Sequence, residues 1–266
     1  MEKEILTLYN SLLEVLSQLK GINFQTENYL MNQSKRIEKF FGNIPFSHLS
    51  SNLILSDLKA ESASKSKQIF LGHSYGVDNK NASTQIESNI NFYFALSLSH
   101  SYEIFEIFTK RLLRIIYDYD RNTVIEKITD QDLRDRNKDK SIDNLRHSNN
   151  DTYFKIFRRI LPEVAIIEQS NYRKTNLTEW YQAFSNFRHT ITHKNSVCSK
   201  EDYKKYKRLS DQYFPVIRHC DSPNCEHLRF QITYDILSEN LILIGEYGYL
   251  ITAELGSKYG FEIKET

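Results

Sequence analysis

One segment constrains the fold of this 266-residue chain more than any other. Residues 85 to 118 read QIESNINFYFALSLSHSYEIFEIFTKRLLRIIYD, without a single Gly or Pro. Phe94, Leu98, Tyr102, Phe105, Leu112 and Ile116 recur at spacings of three, four and seven, the period of one face of a helix. Glu103, Glu106, Lys110 and Arg114 form a polar line on another face, which reads first as a solvated surface with charge pairs. The whole chain holds only 8 Gly and 4 Pro. A β-sandwich or a dinucleotide-binding α/β fold needs more turns than that supplies. The expected class is therefore all-α.

The same periodicity places the other elements. Residues 1 to 20 and about 26 to 41 read as two helices joined at GINFQ, with Ile5, Leu8, Leu12, Leu16 and Leu19 on a core-facing stripe. A further helix is expected over about 48 to 67. GHSYGVDNKNAST, residues 72 to 84, reads as a loop and sets a boundary near residue 84. Residues 1–84 are then an N-terminal helical extension and 85–266 a helical domain. Residues 129 to 151 are strongly polar and read as a loop or a short helix. A helix at about 152 to 161 stops before Pro162. After residue 195, SKEDYKKYKRLSDQYF reads as a polar helix. The alternation of Leu228, Phe230, Ile232 and Tyr234 allows one short strand or hairpin. A last helix is expected over about 235 to 255.

Net charge is +1 with 40% hydrophobic residues, so a sizeable core is possible and bulk charge marks no nucleic-acid binder. The first twenty residues carry acids and no small-residue cleavage site, unlike a signal peptide. ILSENLILIGEYGYLIT is interrupted by Glu239 and Glu246 and makes a poor membrane span. Three cysteines, an odd count, suit a reducing compartment. These features together predict a soluble cytoplasmic protein.

The residues with chemistry lie in FSNFRHTITHKN, 184 to 195. Asn176, with Glu179 three residues on, marks the start of its helix. At 100° per residue from Arg188, the side chains of Trp180, Phe184, Phe187 and Ile191 fall on an apolar stripe about 60° wide. Thr192, Ser185, His189 and His193 fall on the other side. His189 and His193, four apart, are neighbours. Imidazoles exchange protons near neutral pH, and a guanidinium grips phosphate oxygens in a fork. Such a face suits attack by an RNA 2′-hydroxyl on its adjacent phosphate, which requires no metal. The plainer reading is a helix surface that carries two histidines by chance.

RHTITH resembles the signature of the HEPN superfamily, an arginine followed after four residues by a histidine, with a polar residue directly after the arginine. Arg188, His189 and His193 fill those places, and the resemblance covers roughly residues 85 to 256. It implies an all-α HEPN-like bundle in which the first long helix pairs with the motif helix. It implies a metal-independent endoribonuclease without a cofactor, of the toxin or anti-phage abortive-infection type, acting on tRNA, mRNA or rRNA. Active members usually form homodimers with a composite site, and an antitoxin or sensor partner is a further expectation. Carried over, His193 is the general base or acid, Arg188 stabilises the scissile phosphate and His189 assists. Glu103 or Glu106 would support the site from the first long helix. One toxin branch has a tyrosine two residues after the motif histidine; Asn195 stands there, so that branch's nucleotidylation is not expected. The alternative is a non-catalytic helical module that binds RNA or protein.

His219, Cys220, Cys225 and His227 carry zinc-type side chains, but their spacing is not a common finger pattern, so no metal is expected. No Walker, dinucleotide-binding or zincin motif occurs. KKYKR (204 to 208) and KIFRR (155 to 159) are basic patches with interleaved aromatics. That pairing suits RNA, and it suits a solvated helix face equally well.

Overall fold

The computed structural model describes residues 1–41, 47–56, 68–78, 82–145, 151–193, 197–205, 212–218 and 227–263. Its helices are α1 (Glu2–Phe41), α2 (Ala82–Tyr119), α3 (Arg121–Lys127), α4 (Asp151–Ile160), α5 (Pro162–Gln169), α6 (Leu177–His193), α7 (Lys200–Lys205) and α8 (Tyr234–Tyr259). Its strands are β1 (Ser47–Ser56), β2 (Gln68–Asp78), β3 (Val197–Ser199), β4 (Val216–Arg218) and β5 (His227–Phe230). The described residues are mostly helical, in keeping with the all-α class. Among them no helix is long and apolar enough to cross a membrane.

Contacts divide the chain into two units, Met1–Asn23 with Tyr93–Thr266, and Phe24–Phe92. The extension expected over 1–84 is thus shared between them, its first 23 residues belonging with the C-terminal part.

The larger unit is built around aromatic rings. Phe105 and Phe108 of α2, Phe154 and Phe157 of α4, Trp180, Phe184 and Phe187 of α6 and Tyr247 of α8 are all fully buried. Phe154 stacks on Tyr247 at 5.2 Å and packs on Tyr181 at 4.6 Å between centroids. Burying a side chain of this size contributes about 1.5–3 kcal/mol. The six apolar positions of the long helix, Phe94 to Ile116, are all buried, as their period predicts. On α1 the buried hydrophobic residues are Ile5, Tyr9, Leu12 and Leu16, whereas Leu8 and Leu19 are only half-buried.

α8 begins at Thr233, whose hydroxyl accepts the amide of Ile236. It ends at Gly260, left-handed at φ 77°, where the amides of Gly260 and Phe261 both return to the carbonyl of Gly256. A Cβ on Gly256 would stand 2.4 Å from the Phe261 carbonyl oxygen, so this reversal requires glycine there. A Cβ on Gly248 would stand 2.8 Å from the Leu12 side chain, which is how closely α1 approaches α8. β3, β5 and β4 form a three-stranded antiparallel sheet with β5 in the middle. β5 is the short strand that the alternation allows.

The smaller unit holds the second half of α1, the β1–β2 hairpin and the first turns of α2. β1 and β2 are antiparallel from Ser47↔Asp78 to Ser56↔Gln68, with two register shifts.

Three local expectations are corrected. α1 is one helix of 40 residues, not two: GINFQ contains a single Gly, which costs about 1 kcal/mol in a helix but does not end it. The helix expected over 48 to 67 is β1 as far as Ser56, and the loop over 72 to 84 is β2 to Asp78 and then α2 from Ala82. Ile69, Leu71, Tyr75 and Val77 alternate with Phe70, Gly72, Ser74 and Gly76, a strand period that two glycines disguise as a loop.

Candidate functional site

α6 is placed by its cap and by its buried side. The amide of Glu179 donates to Asn176 Oδ1 at 3.1 Å, and the Trp180 amide returns to the Asn176 carbonyl at 2.9 Å. Trp180, Phe184, Phe187 and Ile191 are buried, as the helical count requires. The buried side is wider than that stripe, because Tyr181, Ala183 and Thr190 are buried too. Trp180 Nε1 donates to Asn240 Oδ1 of α8 at 3.0 Å, and Asn240 Nδ2 donates to the carbonyls of Tyr213 and Ile236. One fully buried amide therefore ties α6, the 213 region and α8 together.

α2 lies beside α6. Tyr102 stacks on Tyr181 at 5.2 Å and meets Phe184 edge-on at 5.1 Å. Burial raises the Tyr102 hydroxyl above its ordinary range, although hydrogen bonds to Ser185 and Tyr181 act the other way. At the next residue of α2, Glu103 Oε1 accepts Arg188 Nη2 at 2.9 Å. The pair is part-exposed, at 33% for Arg188 and 41% for Glu103. Arg188 Nε is buried without a hydrogen-bond partner. Thr192 Oγ1 donates to the Arg188 carbonyl at 2.9 Å.

His189 and His193 are exposed, with ring centroids 4.8 Å apart and planes at 47°. Glu106 does not join them in any described contact. It binds Lys110 Nζ at 2.6 Å, an i,i+4 pair on α2. The structure thus brings Arg188 to Glu103 and His189 to His193, and turns Glu106 to a lysine.

His100 is a residue the sequence reading passed over. Its Nδ1 lies 3.8 Å from Glu103 Oε2, so the Glu103 carboxylate stands between an imidazole and the Arg188 guanidinium. The i,i+3 spacing of His100 and Glu103 on a helix was the available signal.

Of the zinc-type cluster, His219, Cys220 and Cys225 lie outside the described residues, and so does the side chain of His227. Among the described residues no group of three His, Cys, Asp or Glu is placed to hold a metal ion. The KKYKR patch extends beyond the described residues after Lys205. In KIFRR, Arg158 and Arg159 are held in ion pairs with the buried Glu168 and Asp132, and Lys155 lies on the surface with Asp151.

One helix, α6, thus carries a guanidinium tethered to α2 and a pair of outward imidazoles. No protein-family model, no curated protein and no solved structure matches the chain.

Proposed function

We propose that the chain is a HEPN-type, metal-independent endoribonuclease, acting as a toxin or anti-phage effector. The observation that supports this is the α6 surface. Arg188 is tethered to Glu103 through Nη2, and the two motif histidines, one and five residues further along α6, are exposed with their rings 4.8 Å apart. A tethered guanidinium is pre-oriented, so less freedom is lost when it meets a phosphate.

In this reading the RNA 2′-oxygen attacks phosphorus and its proton passes to an imidazole. The bond from phosphorus to the 5′-oxygen breaks, and that oxygen takes a proton from an imidazolium. Arg188 stabilises the added charge on the non-bridging oxygens through the N–H groups that Glu103 does not hold. His193 is the leading acid–base residue, His189 assists it, and Glu103 is a positioning residue. The products carry 2′,3′-cyclic phosphate and 5′-hydroxyl ends. A homodimer would present two such faces to one RNA.

The test is RNA cleavage by purified protein in EDTA, with Arg188→Ala and His193→Ala beside the native chain. Cleavage surviving both substitutions removes the site, and 3′-hydroxyl products remove the mechanism. A fully active strict monomer removes the composite dimer. The second reading, a non-catalytic RNA- or protein-binding module, is favoured by the Arg188–Glu103 pair serving as a simple tie between α2 and α6. RNA binding without cleavage under any condition would establish it.

A further inference from the structure

A second site lies away from the Arg188 face and does not depend on how that face is read. In the larger unit, α1, α8 and the α5–α6 connection enclose a cavity of about 630 Å3. That volume is in the range of small-molecule sites, about 300–1,000 Å3. Leu13 and Leu16 of α1, Ile167 and Leu177 from the α5–α6 region, and Leu241 and Ile242 of α8 give it apolar walls. α1 and α8 approach each other closely at Gly248, where a Cβ would meet Leu12 at 2.8 Å. At Gly245 a Cβ would already be in ordinary contact with Leu13, 3.4 Å away.

The mouth is apolar as well. Leu13, Ile242, Tyr249 and Tyr172 are 36%, 38%, 50% and 80% exposed. Grouped apolar exposure at a concavity marks a binding site more often than scattered exposure does.

Every charged group around the cavity but one is held in an ion pair, although the cluster of one guanidinium and two carboxylates keeps one excess negative charge. Arg173 gives Nη1 to Glu239 at 2.6 Å and Nε and Nη2 to Glu246 at 2.5 and 2.8 Å. The Tyr172 hydroxyl also donates to Glu246, at 2.5 Å. Burial, with help from Tyr249 and Glu246, pushes the Tyr9 hydroxyl up to about 12, so it stays neutral. Asn171 is used up on the carbonyls of Ile167 and Thr175. Lys20 is the remaining cation on the lining, and no carboxylate partner meets it among the described residues.

We propose that this cavity binds a free medium-chain carboxylate, its chain along the leucine walls and its head group on Lys20. An apolar cleft whose one cation without a direct ion-pair partner is an ammonium suits a ligand with an apolar body and one negatively charged head group.

Calorimetric titration of the full chain with dodecanoate and dodecanol, each below its aggregation concentration, tests this. The native protein should bind dodecanoate about ten-fold more tightly than dodecanol, the size of one charge-assisted contact. Lys20→Met should level the two ligands while keeping dodecanol affinity. Ile242→Trp and Leu13→Trp, at exposed lip positions, should each weaken both ligands about ten-fold with an unchanged urea midpoint. Equal native affinities, a preference that survives Lys20→Met, or lip variants that bind like the native chain would each overturn the assignment. So would retention on phosphatidylglycerol vesicles without binding of monomeric dodecanoate.

Discussion

Arg158 on α4 and Arg188 on α6 each reach a glutamate from another element, in opposite surroundings. Arg158 Nε meets Glu168 Oε2 at 2.6 Å, and Glu168 is buried at 1% exposure. Tyr247 and Thr178 also donate to Glu168, and Arg158 Nη2 reaches Thr178 at 3.2 Å. Burial, with the Glu168 charge, pushes the Tyr247 hydroxyl well above its ordinary range, so it remains a donor. Both Glu168 oxygens are thus served, and Arg158, 19% exposed, also reaches Asp151 at 3.9 Å. Arg188 has one bond to Glu103, an unpartnered Nε and a part-exposed head. A saturated buried pair can only hold the fold. An unsaturated pair at the surface can still receive an anion.

The largest effect is expected at Glu168. Glu168→Ala removes the buried carboxylate that receives Arg158, Tyr247 and Thr178, and should cost about 3–5 kcal/mol, read as a lower urea midpoint. A loss under about 1 kcal/mol would show that the network is dispensable. Next in size, Arg188→Ala should lower RNA cleavage by about 10²–10³, equivalent to about 2.7–4 kcal/mol. Its melting temperature should hardly move, because a pair this exposed contributes about 0–1 kcal/mol. A protein that unfolds instead would put Arg188 in the same class as Arg158.

Acid offers a third measurement, at Asp132. Burial alone would raise its carboxyl, but hydrogen bonds from Arg159 and Thr129 outweigh that and hold it below the ordinary Asp value. A lowered folded value means stability that is present above the unfolded value, about 3.9, and is lost as pH falls through the folded one. The fall in urea midpoint from about pH 6 to about pH 3 should be smaller in Asp132→Asn than in the native chain. An equal fall would assign the acid sensitivity to other carboxylates.

Glu103→Gln keeps a hydrogen-bond acceptor but removes the charge beside Arg188. Cleavage should drop about ten-fold, with stability within about 0.5 kcal/mol of native. Glu106→Gln, whose partner is Lys110, should be the smallest change: cleavage within two-fold of native and stability within about 0.5 kcal/mol. If the Glu106 variant loses more activity than the Glu103 variant, the ion pair seen at Arg188 is not what orients it.

The sequence disclosed the parts of this fold whose period is long and unbroken. Phe94 through Ile116 announced α2, and Asn176 with the Trp180–Ile191 stripe announced α6 and its buried side. It was less informative where a pattern was short or mixed with glycine. Gly72 and Gly76 hid β2, and one Gly at position 21 suggested a break that the propensity cost is too small to produce. At the site, spacing alone put His189 beside His193 and turned both away from the core. It left Glu103 and Glu106 equivalent, because both lie on the polar line of α2 and only the approach of α6 distinguishes them. Glu168 could not be read at all: nothing in PEVAIIEQ indicates that its carboxylate is received by Arg158 and Tyr247 from other helices.

Trp180 is the only tryptophan in the chain, and it lies on α6 two turns before Arg188, fully buried with its indole N–H held by Asn240. The protein therefore carries its own optical label on the motif helix. Emission from a dry, hydrogen-bonded indole is blue-shifted and shielded from aqueous quenchers. Its wavelength and iodide accessibility will report whether the helix bearing Arg188, His189 and His193 is seated, separately from the circular dichroism of the other helices.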